Sequence, residues 1–274
     1  MSTAGRFVLA VLGAALAEAA LGLLRAAPPG GAELWMRSNH RGRRVSLLAG
    51  PAAATAATIT ACAGGEPALS AAAAVAGAGS GLVGVYDDLA GARPGQQSDK
   101  GFAGHLRALR ERRISTGLVK VAVVGLSGLA AGRSAGRGPL DRVVTGGVVA
   151  GTANLVNLLD LRPGRALKVV LLLGTPLLAG RHGGLIAGPV GAAAAVLRRD
   201  LAEEVMLGDG GANALGALLG LRVALAGGPG WRQGVLSVLV GLTAASERVS
   251  FTRVIETTPG LRQFDSLGRR PATR

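Results

Sequence analysis

Three short stretches carry most of the acid and amide chemistry of this chain. In YDD (86–88), Asp87 and Asp88 close an apolar run, and Asp99 and Lys100 follow in the next polar segment. Adjacent carboxylates repel and raise one another's pKa unless a cation neutralises them. Paired hard oxygens suit Mg2+, which takes one or two carboxylates together with substrate phosphates. In NLVNLLD (154–160), Asn154, Asn157 and Asp160 recur at every third residue. On a helix each lies about 60° from the next, so the three form one polar stripe. Such a stripe on an apolar helix faces a polar cavity or hydrogen-bonds a partner helix. In LGDGGAN (207–213), glycines bare backbone N–H groups just ahead of a helix start, with Asp209 among them and Asn213 closing the stretch. That geometry receives a phosphate oxygen or sets Asp209 beside a metal; the other reading is a turn in which Asp209 caps the helix.

Basic residues cluster in RSNHRGRRVSLLAGP (37–51), where Arg37, His40, Arg41, Arg43 and Arg44 make an anion-attracting strip. The strip fits a charged substrate or anionic lipid equally well. His105 reads as a surface group and His182 carries no assignment. The single cysteine, Cys62, excludes an internal disulfide and reads as a small core hydrophobe.

The elements that must position these residues are hydrophobic. Of 274 residues, 17% are charged and 49% hydrophobic, with 45 glycines. A soluble domain of this size carries roughly 25% charge. Ala, Gly, Leu and Val with few aromatics suit closely packed membrane helices. Nine apolar stretches stand out, near 6–24, 47–63, 67–86, 114–131, 141–159, 166–180, 183–197, 211–227 and 233–247. Each approaches the ~20 residues that cross a hydrocarbon layer. The expected fold is therefore all-α, a polytopic membrane helical bundle of about nine transmembrane helices. Residues 1–247 form the transmembrane domain and 248–274 a cytoplasmic tail, readable as an amphipathic helix on the membrane surface.

With the N-terminus outside, 22 of the 30 Lys and Arg fall in the inside segments 25–46, 87–113, 160–168, 198–210 and 247–274. Six fall outside, and Lys120 and Arg222 sit within helices, where they are expected to snorkel. This bias follows the positive-inside rule and accounts for the net charge of +14 without nucleic acid. It also puts all three acidic stretches, with their active-site loops, on the cytoplasmic face.

In this order RSNHRGRRVSLLAGP, YDD…DKGFAGHLRAL, NLVNLLDLRPG and LGDGGANALGALLG resemble the motifs of the polyprenyl-phosphate sugar-1-phosphate transferase family. The likeness covers roughly residues 35–245: the first cytoplasmic loop, the DD motif with its basic loop, the NxxNxxDGxDG motif and the GDxG motif. It implies transfer of a sugar-1-phosphate from a nucleotide sugar, UDP-linked, to a polyprenyl phosphate in bacterial cell-envelope synthesis. It implies Mg2+, or Mn2+ in its place, and a homodimer as a plausible assembly. By resemblance Asp87, Asp88 and Asp209 are catalytic, with Asp209 and Asp88 on the metal. Asn154, Asn157, Asp160, Lys100, Asn213, Arg41 and Arg248 are the candidate substrate-binding residues. The sequence departs at Leu161 and Pro163, where the motif has Gly and Asp, and its tail lacks the family's histidine motif. Two other readings remain: a non-catalytic relative that binds lipid phosphate or scaffolds envelope enzymes, and a transporter or an unrelated lipid enzyme. Against the transporter, the acids gather at one surface rather than at the bilayer midplane.

Overall fold

A computed structural model describes residues 1–90, 116–135 and 138–271. The described chain folds into helices: α1 (Thr3–Ala26), α2 (Ala49–Gly64), α3 (Pro67–Ala90), α4 (Thr116–Ala135), α5 (Pro139–Leu159), α6 (Arg165–Gly174), α7 (Gly184–Leu201), α8 (Gly208–Ala224), α9 (Pro229–Ser246), α10 (Phe251–Thr257) and α11 (Pro259–Ser266). A small antiparallel hairpin pairs β1 (Met36–Ser38) with β2 (Arg44–Ser46).

Every one of the nine apolar stretches becomes a helix, but nine helices are not nine spans. Among the described residues, α1, α3 and α5 are long and apolar enough to cross a membrane, or four elements if α9 and α10 are counted as one broken span. For α2, α6 and α8 the reason is length. At ~1.5 Å per residue, α6 reaches about 15 Å, half of a ~30 Å hydrocarbon layer. α2 and α8 have 16 and 17 residues, and α7 ends in Arg198, Arg199 and Asp200.

The short α8 is the axis of the bundle, buried along nearly its whole length. α3, α5 and α2 pack around it, while α1 and α2 pack against α7, α4 bridges α3 and α5, and α9 leans on α5. Small residues permit this closeness. A Cβ on Gly84 of α3 would lie 2.3 Å from the Asp209 carbonyl oxygen, so only glycine lets α3 meet the start of α8.

The two ends of the bundle are both polar. At the end opposite the acidic stretches, Arg6 donates to the carbonyls of Leu178 and Gly180, 2.8 Å each. Arg222 does not snorkel. It is 5% exposed and donates to the carbonyls of Leu177 and Ala179. Arg232 pairs with Asp141 there.

Candidate functional site

The other end is built on the loop that enters α8. β2 lies beside residues 203–207: Ser46 bridges Val205, and the Met206 N–H donates to the Ser46 carbonyl at 2.9 Å. The hairpin turn is held by Asn39, whose side-chain oxygen accepts the N–H groups of Arg41 and Arg43. The chain then turns through Gly208 at φ +64°. A Cβ there would stand 2.7 Å from Leu47 and 2.9 Å from an Asp88 oxygen.

Asp88 reaches this turn from the last turn of α3. One carboxylate oxygen accepts the Asp209 N–H at 3.1 Å and the other the Gly210 N–H at 3.0 Å. A negative charge on the first N–H groups of a helix satisfies its orphan donors and its dipole. The cap of α8 is therefore Asp88, from a distant helix, and not Asp209. Arg37 fixes Asp88 in turn by donating to its carbonyl at 2.6 Å. Asp87 sits beside it, half-buried.

Asp160 follows α5 as its cap residue. Its carboxyl is pushed well above the usual carboxylate range, first by withdrawal from water and then by the charges of Asp200, Asp209 and Asp88; a hydrogen bond from the Gly208 backbone acts the other way. Asp200, 3% exposed at the end of α7, accepts the Gly164 N–H at 2.5 Å. Burial, with Glu203 nearby, pushes it up to about 7, while the bonds from Gly164 and Leu207 and the charge of Arg269 moderate the shift.

Asp160 and Asp200 line a pocket of about 160 Å³ with Ser38, Asn39, His40, Arg162, Pro163 and Glu203. Glu203 holds the pocket's hairpin side. It accepts from Asn39 at 2.7 Å and pairs with Arg41 at 3.0 Å. His40 is held below its usual value by partial burial and by Arg162 and Arg41. The site thus has carboxylates within and cations at its rim.

Of the residues singled out in the sequence, Asp88, Asp160 and Asp209 are brought together, with Asp87 alongside and Asn157 one helical turn before Asp160. The polar stripe divides: the Asn154 amide donates to Thr243 of α9 at 3.2 Å. Asn213 is 2% exposed inside α8, with its amide nitrogen buried and unbonded. Arg41 lies at the pocket's edge, and Arg248 is exposed after α9. Lys100, Asp99 and His105 lie outside the described residues. The sequence reading passed over Asp200 and Glu203. Their signal was RRDLAEE (198–204), an acidic run ending another apolar stretch on the same face.

Hard carboxylate oxygens are the right donors for Mg2+. Among the described residues, the charges acting most on Asp160 are carboxylates, so a cation at this cluster would offset their mutual repulsion. Among the described residues no three His, Cys, Asp or Glu groups form a self-sufficient metal cage. A cation here would complete its shell with water or ligand phosphate. Asp209 and Asp88, the pair the resemblance implies, would hold it: Asp88 serves α8 but retains a second lone pair on each oxygen, and Asp160 stands beside them.

No family model matches the chain, and no curated protein matches its sequence.

Proposed function

We propose that the chain is a membrane-embedded, Mg2+-dependent phospho-sugar transferase, with its pocket at the cytoplasmic end and its N-terminus outside, in a bacterial plasma membrane. One observation carries the reading. Asp88, Asp160 and Asp209, from three distant segments, meet beside a pocket that has cations at its rim. Phosphoryl transfer depends mostly on positioning and on neutralising charge, and this arrangement offers both.

In the reaction, an oxygen of the lipid phosphate attacks the β-phosphorus of the nucleotide sugar. A new P–O–P bond to the lipid forms as the bond to the nucleoside monophosphate breaks, and that group leaves with the electron pair. Mg2+ on Asp209 and Asp88 would offset the charge of the diphosphate. Asp87 and Asp88, where α3 ends, stand on the lipid side. Asn157 and Asp160 stand on the donor side, and His40, Arg41 and Arg162 draw the anionic donor to the pocket. Two such chains would pair as a homodimer.

A second reading is favoured by the α8 cap. Both Asp88 oxygens are engaged by backbone N–H groups, which is a structural duty, and a relative that binds lipid phosphate without catalysis would keep it. The deciding experiment uses purified protein with undecaprenyl phosphate, Mg2+ and a panel of UDP-sugars. The expected result is UMP release, reduced roughly 10²–10³-fold in Asp209→Asn, as for loss of one electrostatic stabiliser. Lipid phosphate binding with no UMP release from any donor would sink the transferase and leave the second reading.

A further inference from the structure

The C-terminal segment after α9 is fastened to one side of the pocket mainly by polar contacts. α9 and α10 meet at 92°, so the chain turns sharply and runs back across this end of the bundle. In α10 nothing is buried, and in α11 the one buried residue is Asp265. Val254, Leu261, Phe264 and Leu267 are 40–66% exposed. Phe251 and Ile255 of α10 are half-buried, and this modest apolar burial does not by itself explain why the segment docks.

Asp265 does. It takes a bidentate pair of hydrogen bonds from Arg165, at 2.8 and 3.0 Å, and a further one from Arg269 at 2.6 Å. Arg165 is 3% exposed and donates its remaining nitrogen to Thr252. Lys168 donates to the carbonyls of Phe264 and Asp265. Two-point recognition of a carboxylate by Arg fixes orientation as well as distance.

The anchor points on the other side lie within four residues of chain. Arg162 pairs with Glu256 at 3.3 Å, the Pro163 carbonyl accepts from Arg269 at 2.8 Å, and Arg165 holds Asp265. Between them Gly164, at φ +73°, gives its N–H to Asp200. The turn 160–164, which carries pocket residues Asp160 and Arg162, is thus gripped by the tail on one side and by α7 on the other. At the pocket's far edge, Arg41 donates to the carbonyls of Arg270 and Pro271 while pairing with Glu203.

We propose that the C-terminal segment is a positioning clasp for the pocket, in which Asp265, acting through Arg165 and Arg269, sets the conformation of the 160–164 turn and thereby the hold on the anionic donor. The clasp deepens the transferase reading, since it names what aligns the donor side of that same site. Asp265 is a positioning residue, and its test does not depend on turnover.

The experiment is amide hydrogen exchange on the full chain in detergent, comparing the protein with Asp265→Asn, Asp265→Glu and Arg269→Gln. In Asp265→Asn, exchange in 259–271 and in the 160–165 turn is expected to rise at least tenfold together. The Asp209 and Gly210 amides, bonded to Asp88, should stay protected, which shows that the variant is folded. Asp265→Glu should restore part of the protection. Arg269→Gln removes only the Pro163 bond and one Asp265 contact, and should loosen the turn more than the tail. Exposed Arg262→Gln should change nothing. With UMP release as a second readout, Asp265→Asn should raise KM for the UDP-sugar about tenfold while kcat stays within a factor of three. A freed tail with an unchanged 160–165 turn would overturn the clasp, as would a tail that stays protected in both Asp265→Asn and Arg269→Gln. Loss of all UMP release in the unmodified protein, with the exchange pattern as expected, would fault the transferase reading alone.

Discussion

Asp160 and Asp265 are the same side chain at the same end of the bundle, in opposite surroundings. Around Asp160 the dominant charges are Asp200, Asp209 and Asp88, and its carboxyl is pushed up. Around Asp265, burial pushes up, but hydrogen bonds and charge from Arg165 and Arg269 outweigh it and hold the group below the usual range. The second centre is complete in itself: every strong charge has its partner, and it fastens one segment to another. Among the described residues, the charges acting most on the first are carboxylates, an arrangement that occurs where a functional site holds a ligand. The same residue type takes opposite electrostatic settings here because of what surrounds it.

The largest expected effect tests the complete centre. Arg165→Met leaves a buried carboxylate without its main partner, and breaking such a pair costs about 3–5 kcal/mol. The tail should let go rather than bear that cost. Trypsin cleavage within 248–271 should then rise steeply, while the melting temperature of the helical bundle shifts little. Arg165→Met with Asp265→Leu should recover much of the resistance, because no charge is left stranded. Equal cleavage in the single and double variants would show that the pair is not what holds the tail.

The two centres should respond to pH with opposite sign. Raised carboxyls such as Asp160 and Asp200, the latter near 7, favour the fold below the ordinary carboxylate value and lose that contribution as pH rises through their folded pKa. Stability to heat without divalent cation should therefore fall between about pH 4 and 7, and Mg2+ should flatten the slope. Asp265, with its lowered value, behaves the other way. Tail protection should persist through neutral pH and disappear only as pH falls below the usual carboxylate range. A slope unaffected by Mg2+ would remove the case for a cation at the first centre.

The smallest effect concerns the turn that joins Asp88 to α8. Gly208→Ala places a side chain at φ +64° against Asp88 and Leu47, for which about 1–2 kcal/mol is expected from the backbone conformation alone. Denaturant unfolding measures it. A neutral result would mean that the α8 cap tolerates displacement and that its geometry is not what ties the acids together.

Much of this was legible before any coordinates. Hydrophobic runs gave all nine helices of the bundle, because burying an apolar stretch while pairing its own backbone leaves few alternatives to a helix. Loop alternation grouped Asp88, Asp160 and Asp209 at one end. Run length did not give the spans, since α6 and α8 have the composition of membrane helices but too few residues to cross on their own. Asn154, Asn157 and Asp160 looked like one stripe, yet the first bonds α9 while the last lines the pocket.

By itself, then, the sequence determined which apolar segments are helical and that acidic groups from distant segments gather at the same end. Those outcomes depend on composition and periodicity, which act locally. Only the tertiary structure decided which carboxylate does what: that Asp88 caps α8, that Asp200 joins Asp160, and that Asp265 closes on Arg165 across 100 residues of chain. A hydrogen bond is made or lost within a few tenths of an ångström, and such distances between remote segments are set by how the helices pack.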